Sequence, residues 1–368
     1  MMIKVLFISK FPPTKDGVGD YTFELIQYLK KYCEVGVLTY KNGRCEENVY
    51  RVLNKDRLIF YNVQKYIKFL CKEKGYNIIH FQTASFTFPR NFYLFPLFIE
   101  KKLVSTIHEV LTLRQFHYLP FVLNVYTRSN IIITLSKEIA KLIVKYYKIK
   151  PEKIRIMHHG ADIIRFNPNV PSKPFRSLFK IDDDFVIMIF GFIGQGKGHE
   201  VLIKAFSKIS HRMPNAKLVI AGDTKDLDYL EYLKEIALKN KEKIIFTGYI
   251  PYEILPSCLA SADVFVLPYL GGMHPSGPLH RALASGRAII ASDTPVMREV
   301  IKDGYNGILI KPGDVNELAN AMLRLYEDGN LRNELARNAR KFAEEFLDWD
   351  KIAKKFILIK ELCLFYYS

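Results

Sequence analysis

The sequence predicts an α/β protein of two domains, each a parallel sheet covered by helices on both faces. Three observations lead there. Short apolar runs alternate with longer amphipathic segments along all 368 residues, the pattern of strand–helix–strand units and their parallel sheets. That rhythm pauses once, at the polar, proline-bearing stretch "RFNPNVPSKPFRSLFKIDDD" (165–184), which reads as a linker. A hydrophobic content of 49% over this length suits two cores of ordinary size.

The elements follow in order. "IKVLFIS" begins a strand at once, with no small-residue cleavage site of a leader ahead of it. The loop "KFPPTKDGVGDYTFEL" comes next. Gly17 and Gly19 let the backbone approach a ligand closely there, and a helix beginning near Asp20 aims its N-terminus at the same place. Further strands of the first half are "CEVGVLTY", "NIIHFQT", "KLVSTIHE", "NIIITLS" and "KIRIMHH". His108 ends one of them, at the sheet edge where ligands bind in such folds. His80, inside "NIIHFQT", has a weaker claim and reads first as a structural residue.

The second half opens with "FVIMIFGF", which runs into "GFIGQGKGHEVLIKAF". Gly191 to Lys197 has the G-x-x-x-x-G-K spacing of a phosphate-binding loop after a strand and before a helix. The next residue is Gly198, where that motif needs Ser or Thr to ligate magnesium. Either way Lys197 is a phosphate cation candidate. Strands "AKLVIAGD", "KIIFTG", "DVFVLPY", "RAIIASD" and "GILIKP" follow, with helices such as "HEVLIKAFSKIS" and "VNELANAMLRLYED" between them. Before "RAIIASD" lies "MHPSGPLHRALASG" (273–286). Ser276 is a good N-cap, Pro278 suits the first helical turn, and Gly286 ends the run. A helix start of this kind is an anion site, with His280 and Arg281 one turn inside it.

Composition narrows the classes. The five cysteines are scattered, with no C-x-x-C pair, which fits a reducing compartment and argues against a disulfide frame or zinc site. No His, Cys and Asp cluster has metal spacing; Asp182–Asp184 read as a solvated turn. No apolar run approaches the ~20 residues of a membrane-spanning helix, so the expectation is a soluble cytoplasmic protein. Residues 1–170 hold 27 Lys and Arg against 13 Asp and Glu, whereas the remainder holds 27 against 25. That imbalance directs the first half toward a polyanion, unless it is only a lysine-rich solvated surface.

Taken in order and spacing, these pieces resemble the family-four retaining glycosyltransferases of GT-B fold (glycosyl transferases group one), over nearly the whole chain. The resemblance rests on "TLSKEIAKLIVKYYKIKPEKIRIMHHGADIIRFNP", "GFIGQGKG", "ADVFVLPY", "ALASGRAIIASDTPVMREVIKDGYNGILI" and "KPGDVNELANAM". It implies two Rossmann-like domains facing across a cleft: 1–170 on the acceptor side and 171–349 on the donor side. The C-terminal helix, 350–368, is expected to pack back on the first. It implies sugar transfer from a nucleotide-sugar donor to a glycan or lipid-linked acceptor. No metal or other cofactor and no nucleic acid partner is expected. The basic first half suggests peripheral contact with an anionic membrane surface.

The implied roles are specific to residues. Lys197 matches the family's phosphate-binding lysine, His108 a histidine near the transferred sugar, and Gly17 and Gly19 the flexible first loop. Gly191, His274, Ser276, Gly277 and Leu279 fall in the donor-binding stretches, and Glu299 matches a recurrent glutamate of the second domain. The arginine usual after the first glycine of the turn is Phe192 here, and two glutamates usual eight residues apart are Met273 and Arg281. Arg281 lies four residues after Gly277, on one helix face, and is expected to restore the charge lost at Phe192. Three other readings stay open: an inactive homologue serving as a binding subunit, a nucleotide-sugar epimerase of the same fold, and a P-loop ATPase.

Overall fold

Strands of Val, Ile and Leu that lie between amphipathic helices can bury both faces, and this chain uses that arrangement twice. The structure, a computed structural model, describes residues 2–14, 16–53, 59–84, 88, 93–94, 96, 100–110, 117–272 and 276–366. The chain divides into two units. The first runs to Gly160 and takes in the C-terminal segment from Trp349; the second holds Ala161–Gly272 and Ser276–Asp348.

The first unit has a seven-stranded sheet in the order β3-β2-β1-β4-β5-β6-β7. Its strands are β1 (Lys4–Ile8), β2 (Glu34–Tyr40), β3 (Val49–Leu53), β4 (Ile78–Thr83), β5 (Lys102–Ile107), β6 (Ile131–Thr134) and β7 (Ile154–Ile156), all paired in parallel. β1 pairs with both β2 and β4, so the strand order reverses there. The helices are α1 (Gly17–Leu29), α2 (Ile59–Glu73), α3 (Leu119–Arg128) and α4 (Lys137–Tyr147). The last helix of the chain, α13 (Trp349–Tyr366), belongs to this unit and is pinned to α1 by the buried Trp349, whose Nε1–H donates to Glu24 Oε2 at 2.9 Å. β3 is absent from the sequence reading.

One face of this sheet carries a polar chain beneath α13. Lys360 Nζ lies 2.7 Å from His80 Nδ1, and His80 Nε2 lies 2.7 Å from Thr106 Oγ1; all three residues are 0% exposed. Burial first, then the Lys360 and His108 charges, hold the His80 ring well below the ordinary imidazole value, so it is neutral and accepts from Lys360. His80 is thus a satisfied structural residue.

The second unit has six strands in the order β10-β9-β8-β11-β12-β13. They are β8 (Phe185–Phe190), β9 (Ala216–Ala221), β10 (Ile244–Gly248), β11 (Val264–Leu267), β12 (Ala288–Ser292) and β13 (Ile308–Ile310). Each coincides with one apolar run of the sequence. Its helices are α5 (Lys173–Leu178), α6 (His199–Ile209), α7 (Leu227–Ala237), α8 (Leu255–Ala260), α9 (Gly277–Ala284), α10 (Pro295–Arg298), α11 (Val315–Glu327) and α12 (Gly329–Phe342). The reversal of order falls at β8, between β9 and β11.

The expected linker is corrected here. Phe166 and Phe175 are fully buried in the second unit's core, and Arg176 bonds the carbonyls of Ile181, Asp184 and Ser261 and the Asp263 carboxylate. The stretch is therefore a packed entry to the second unit. The division falls at residue 160 rather than 170, where Ala161 N–H donates to Leu347 O at 2.7 Å. Asp182 accepts from the Ser177 hydroxyl in an exposed turn, as a solvated acidic run does. No helix among the described residues is long and apolar enough to cross a membrane.

Candidate functional site

In an open parallel sheet, ligands bind beyond the carboxyl ends of the strands where the order reverses. In the second unit that point is the turn from β8 into α6. It is held from three sides. Gly191 N–H donates to Ala221 O and Ile193 N–H to Asp223 O, each at 2.9 Å, which ties the turn to the end of β9. Leu270 N–H donates to Gly196 O at 2.9 Å, which ties it to the segment after β11. Against α9, a Cβ at Gly191 (φ +128°) would meet Pro278 Cγ at 2.9 Å. At Gly198 (φ +75°) a Cβ would collide with the Pro268 carbonyl oxygen. The position that a P-loop needs for a magnesium-binding hydroxyl therefore admits no side chain, which removes the physical basis of the ATPase reading.

Lys197 leaves this turn with Nζ 4.0 Å from the centroid of the Tyr269 ring. The Tyr269 hydroxyl lies 3.0 Å from Ser276 Oγ, and Ser276 is the N-cap of α9. Gly191 and Lys197 of this turn thus meet Ser276, distant in sequence, through Pro278 and Tyr269. The neighbouring His199, buried at the start of α6, is pushed down to about 4, chiefly by burial. It is neutral near pH 7, so the positive charge of the turn comes from Lys197. Phe192 is 59% exposed.

The start of α9 differs from expectation in one respect. Leu279 N–H donates to the Ser276 hydroxyl at 3.3 Å and the Leu279 side chain is buried, so Leu279 is part of the cap and not an open donor. Gly277 is half-buried at the first helical position. His280 is buried, and its Nδ1–H donates to the Ser276 carbonyl at 2.6 Å, which explains a histidine one turn inside the helix as an internal pin. Arg281 is half-buried, with its guanidinium carbon 5.8 Å from the Phe166 ring centroid. It stands three residues beyond Pro278, so both occupy one face of α9. Glu299 is half-buried at the C-terminal cap of α10. Met273 and His274 lie outside the described residues.

In the first unit, α1 begins at Gly17 rather than near Asp20, because Asp16 caps it. The Asp16 carboxylate accepts from Val18 N–H at 3.0 Å and Gly19 N–H at 3.3 Å and pairs with Lys10 Nζ at 2.8 Å. The helix start around Gly17 and Gly19, expected to face a ligand, is thus occupied by the chain's own carboxylate. His108 follows β5, with its N–H on Thr83 O at 2.9 Å and Nε2 on Gln82 Oε1 at 2.8 Å. The Tyr21 ring stands edge-on to it at 4.8 Å, and also to His159 at 5.0 Å and Trp349 at 5.2 Å. Burial raises the Tyr21 hydroxyl well above the ordinary phenol value. Sequence reasoning missed Tyr269, Tyr21 and Gln82; none carries a local signal beyond a polar or aromatic residue at a strand end or on a helix face.

A family model described as "Glycosyl transferases group 1" matches residues 172–342, and one described as "Glycosyltransferase Family 4" matches residues 15–165. An uncharacterized glycosyltransferase of Methanocaldococcus jannaschii is 31% identical over 238 residues, 63% of this chain and 60% of its own. The phosphatidyl-myo-inositol mannosyltransferase of Mycolicibacterium smegmatis is 29% identical over 203 residues, 55% of this chain and 50% of its own. The chain thus spans about 60% of the first relative's length and 50% of the second's. The Anabaena protein HepE, solved in complex with UDP, matches in fold with a TM-score of 0.82 at 18% identity, over 98% of this chain and 100% of its own.

Proposed function

The chain belongs to the glycosyltransferases, by the group 1 model in its second unit and the family 4 model in its first, and from that premise we propose that it moves a sugar from a nucleotide-sugar donor to a glycan or lipid-linked acceptor. Transfer proceeds with retention at the anomeric carbon and without a bound metal. The observation that carries this reading is the Lys197–Tyr269–Ser276 set on the turn after β8. It joins a cation, a glycine-lined backbone and a helix start in one place, which is what a diphosphate needs. The Anabaena neighbour's UDP supports a nucleotide donor, and the mycobacterial relative's name supports a lipid-borne acceptor.

In this reading Lys197 and the start of α9 stabilise the charge that grows on the leaving diphosphate, an electrostatic contribution aimed at the transition state. Arg281 adds a guanidinium, which can contact phosphate oxygens in a fork. His108 orients the donor sugar. We assign the reaction to the cytoplasm, with the basic first half attracted to an anionic membrane that carries the acceptor. A binding subunit without catalysis is the second reading, favoured by Met273 and Arg281 standing where the family has glutamates.

Thermal unfolding with a panel of nucleotide-sugars in excess chelator tests the proposal. One donor should raise Tm and be turned over with retention, and Lys197→Met should lose the shift. Stabilisation that needs magnesium refutes the metal-free site. Stabilisation without turnover under any acceptor favours the binding subunit.

A further inference from the structure

Gln82 is a polar side chain in an apolar setting. It sits on β4, 0% exposed, on the sheet face that α1 and α13 cover. Its Oε1 meets His108 Nε2 at 2.8 Å, while its Nε2 has no hydrogen-bond partner among the described residues. An amide so placed makes one contact and leaves its other end unsatisfied, which an apolar residue of the same size would avoid. Tyr21, 1% exposed, also meets the imidazole: its ring stands edge-on to His108 at 4.8 Å, and its hydroxyl has no hydrogen-bond partner among the described residues. Two buried polar residues are thus held against one histidine.

The chemistry of that contact is directional. A carboxamide oxygen only accepts, so the hydrogen between the two groups belongs to His108 Nε2. In neutral imidazole the other nitrogen, Nδ1, is then an acceptor. We propose that Gln82 is a positioning residue for His108: it fixes the Nε2–H tautomer and the ring orientation, so that His108 presents an acceptor and takes a hydrogen bond from a sugar hydroxyl rather than giving one to a phosphate. This rests on the transferase reading for the identity of the ligand, but the tautomer is a property of the chain alone. Among the described residues, the titratable groups near the ring include Tyr21 from α1, His159 against the same Tyr21 ring, His80 on β4 with Lys360 of α13 bonded to it, and Glu109 next in the chain. None of these is the hydrogen-bond partner of Nε2.

The test is the ¹⁵N spectrum of the imidazoles in the full chain, with His108 assigned by its loss in His108→Asn. Wild type should show His108 with hydrogen on Nε2 and none on Nδ1. Gln82→Glu replaces the amide by a carboxylate that favours imidazolium, and His108 should titrate roughly one pH unit or more higher. Gln82→Met should release the tautomer to a mixture. If the variants do not fold, the wild-type spectrum decides alone: hydrogen on Nδ1 overturns the inference. A Gln82→Glu chain that folds and titrates like wild type overturns it as well. Turnover is read separately with the donor found by thermal shift, where the pH profile of Gln82→Glu should lose its neutral plateau while that of wild type keeps it. A correct tautomer in a chain that turns over no donor leaves the positioning role standing and sinks the transferase reading.

Discussion

Lys360 gives the sharpest stability experiment. It is fully buried under α13, and burial lowers its pKa from 10.5 to about 7, with Cys33 and Cys363 opposing weakly. In the unfolded chain the lysine keeps its proton up to its ordinary value, so between the two values the unfolded state binds more protons and stability rises with pH. At one pKa unit per ~1.4 kcal/mol, the buried charge costs on the order of 4–5 kcal/mol near pH 6.5 and about 3 kcal/mol near pH 8.5. Stability should therefore gain about 2 kcal/mol across that window. The other shifted histidines, His80 and His199, and the thiols act mainly outside that window. His80, lowered from 6.5, destabilises only as pH falls below its unfolded value, and the buried thiols, raised from 9.0, only as pH rises above theirs. Lys360→Met removes the charge but leaves His80 Nδ1 without its donor, at about 1–3 kcal/mol. The variant should be about 2 kcal/mol more stable than wild type near pH 6.5 and nearly equal near pH 8.5. Urea unfolding of both proteins at several pH values reads this directly. The pH dependence of the difference is independent of the unpaired-histidine cost. A difference that stays constant from pH 6.5 to 8.5 would mean that Lys360 titrates normally, and the burial argument fails.

Three further outcomes follow from the second unit and the charge distribution. Gly198→Ser should destabilise that unit by about 2 kcal/mol or more in denaturant, since it adds both a left-handed backbone penalty and a collision with Pro268 O; a neutral effect would restore the P-loop reading. Arg281→Glu should weaken donor binding more than tenfold, about 1.4 kcal/mol, and Phe192→Arg in the same chain should recover much of it through the shared ligand. Calorimetric titration of the four proteins decides, and an unchanged affinity in Arg281→Glu places Arg281 outside the site. Sedimentation with anionic vesicles should be strong at low salt and fade as the Debye length shrinks; equal behaviour with neutral vesicles leaves the lysines as a solvated surface.

What could be read from sequence, and what could not, separates along a physical line. Every strand of the second unit was visible because each is a contiguous apolar run, buried almost throughout in the four inner strands and only in part in the edge strands β10 and β13. β3 was not, because Val49–Leu53 is an edge strand with Arg51 at its centre and four of its five residues only half-buried. The prolines of 165–184 signalled a linker, yet the same stretch carries Phe166 and Phe175, and burial of two aromatic rings outweighs local composition. Asp16 was legible in principle: an aspartate before Gly-Val-Gly is a favoured N-cap.

The candidate site divides in the same way. The turn from Gly191 to Gly198 is backbone chemistry within a few residues, so its glycines and lysine announce themselves. The Gln82–His108 contact joins positions 26 residues apart, and the Lys360–His80 contact joins positions 280 apart. Neither has a periodicity, because each is a side-chain pair made by packing one element on another. A lysine in an amphipathic helix reads as solvated until the sheet beneath it is known. Buried polar pairs are also the contacts whose loss costs most, since water cannot replace the missing partner. The groups least visible in this sequence are therefore the ones whose substitution should move tautomers and pH profiles, while the conspicuous glycine turn governs whether a diphosphate can be seated at all.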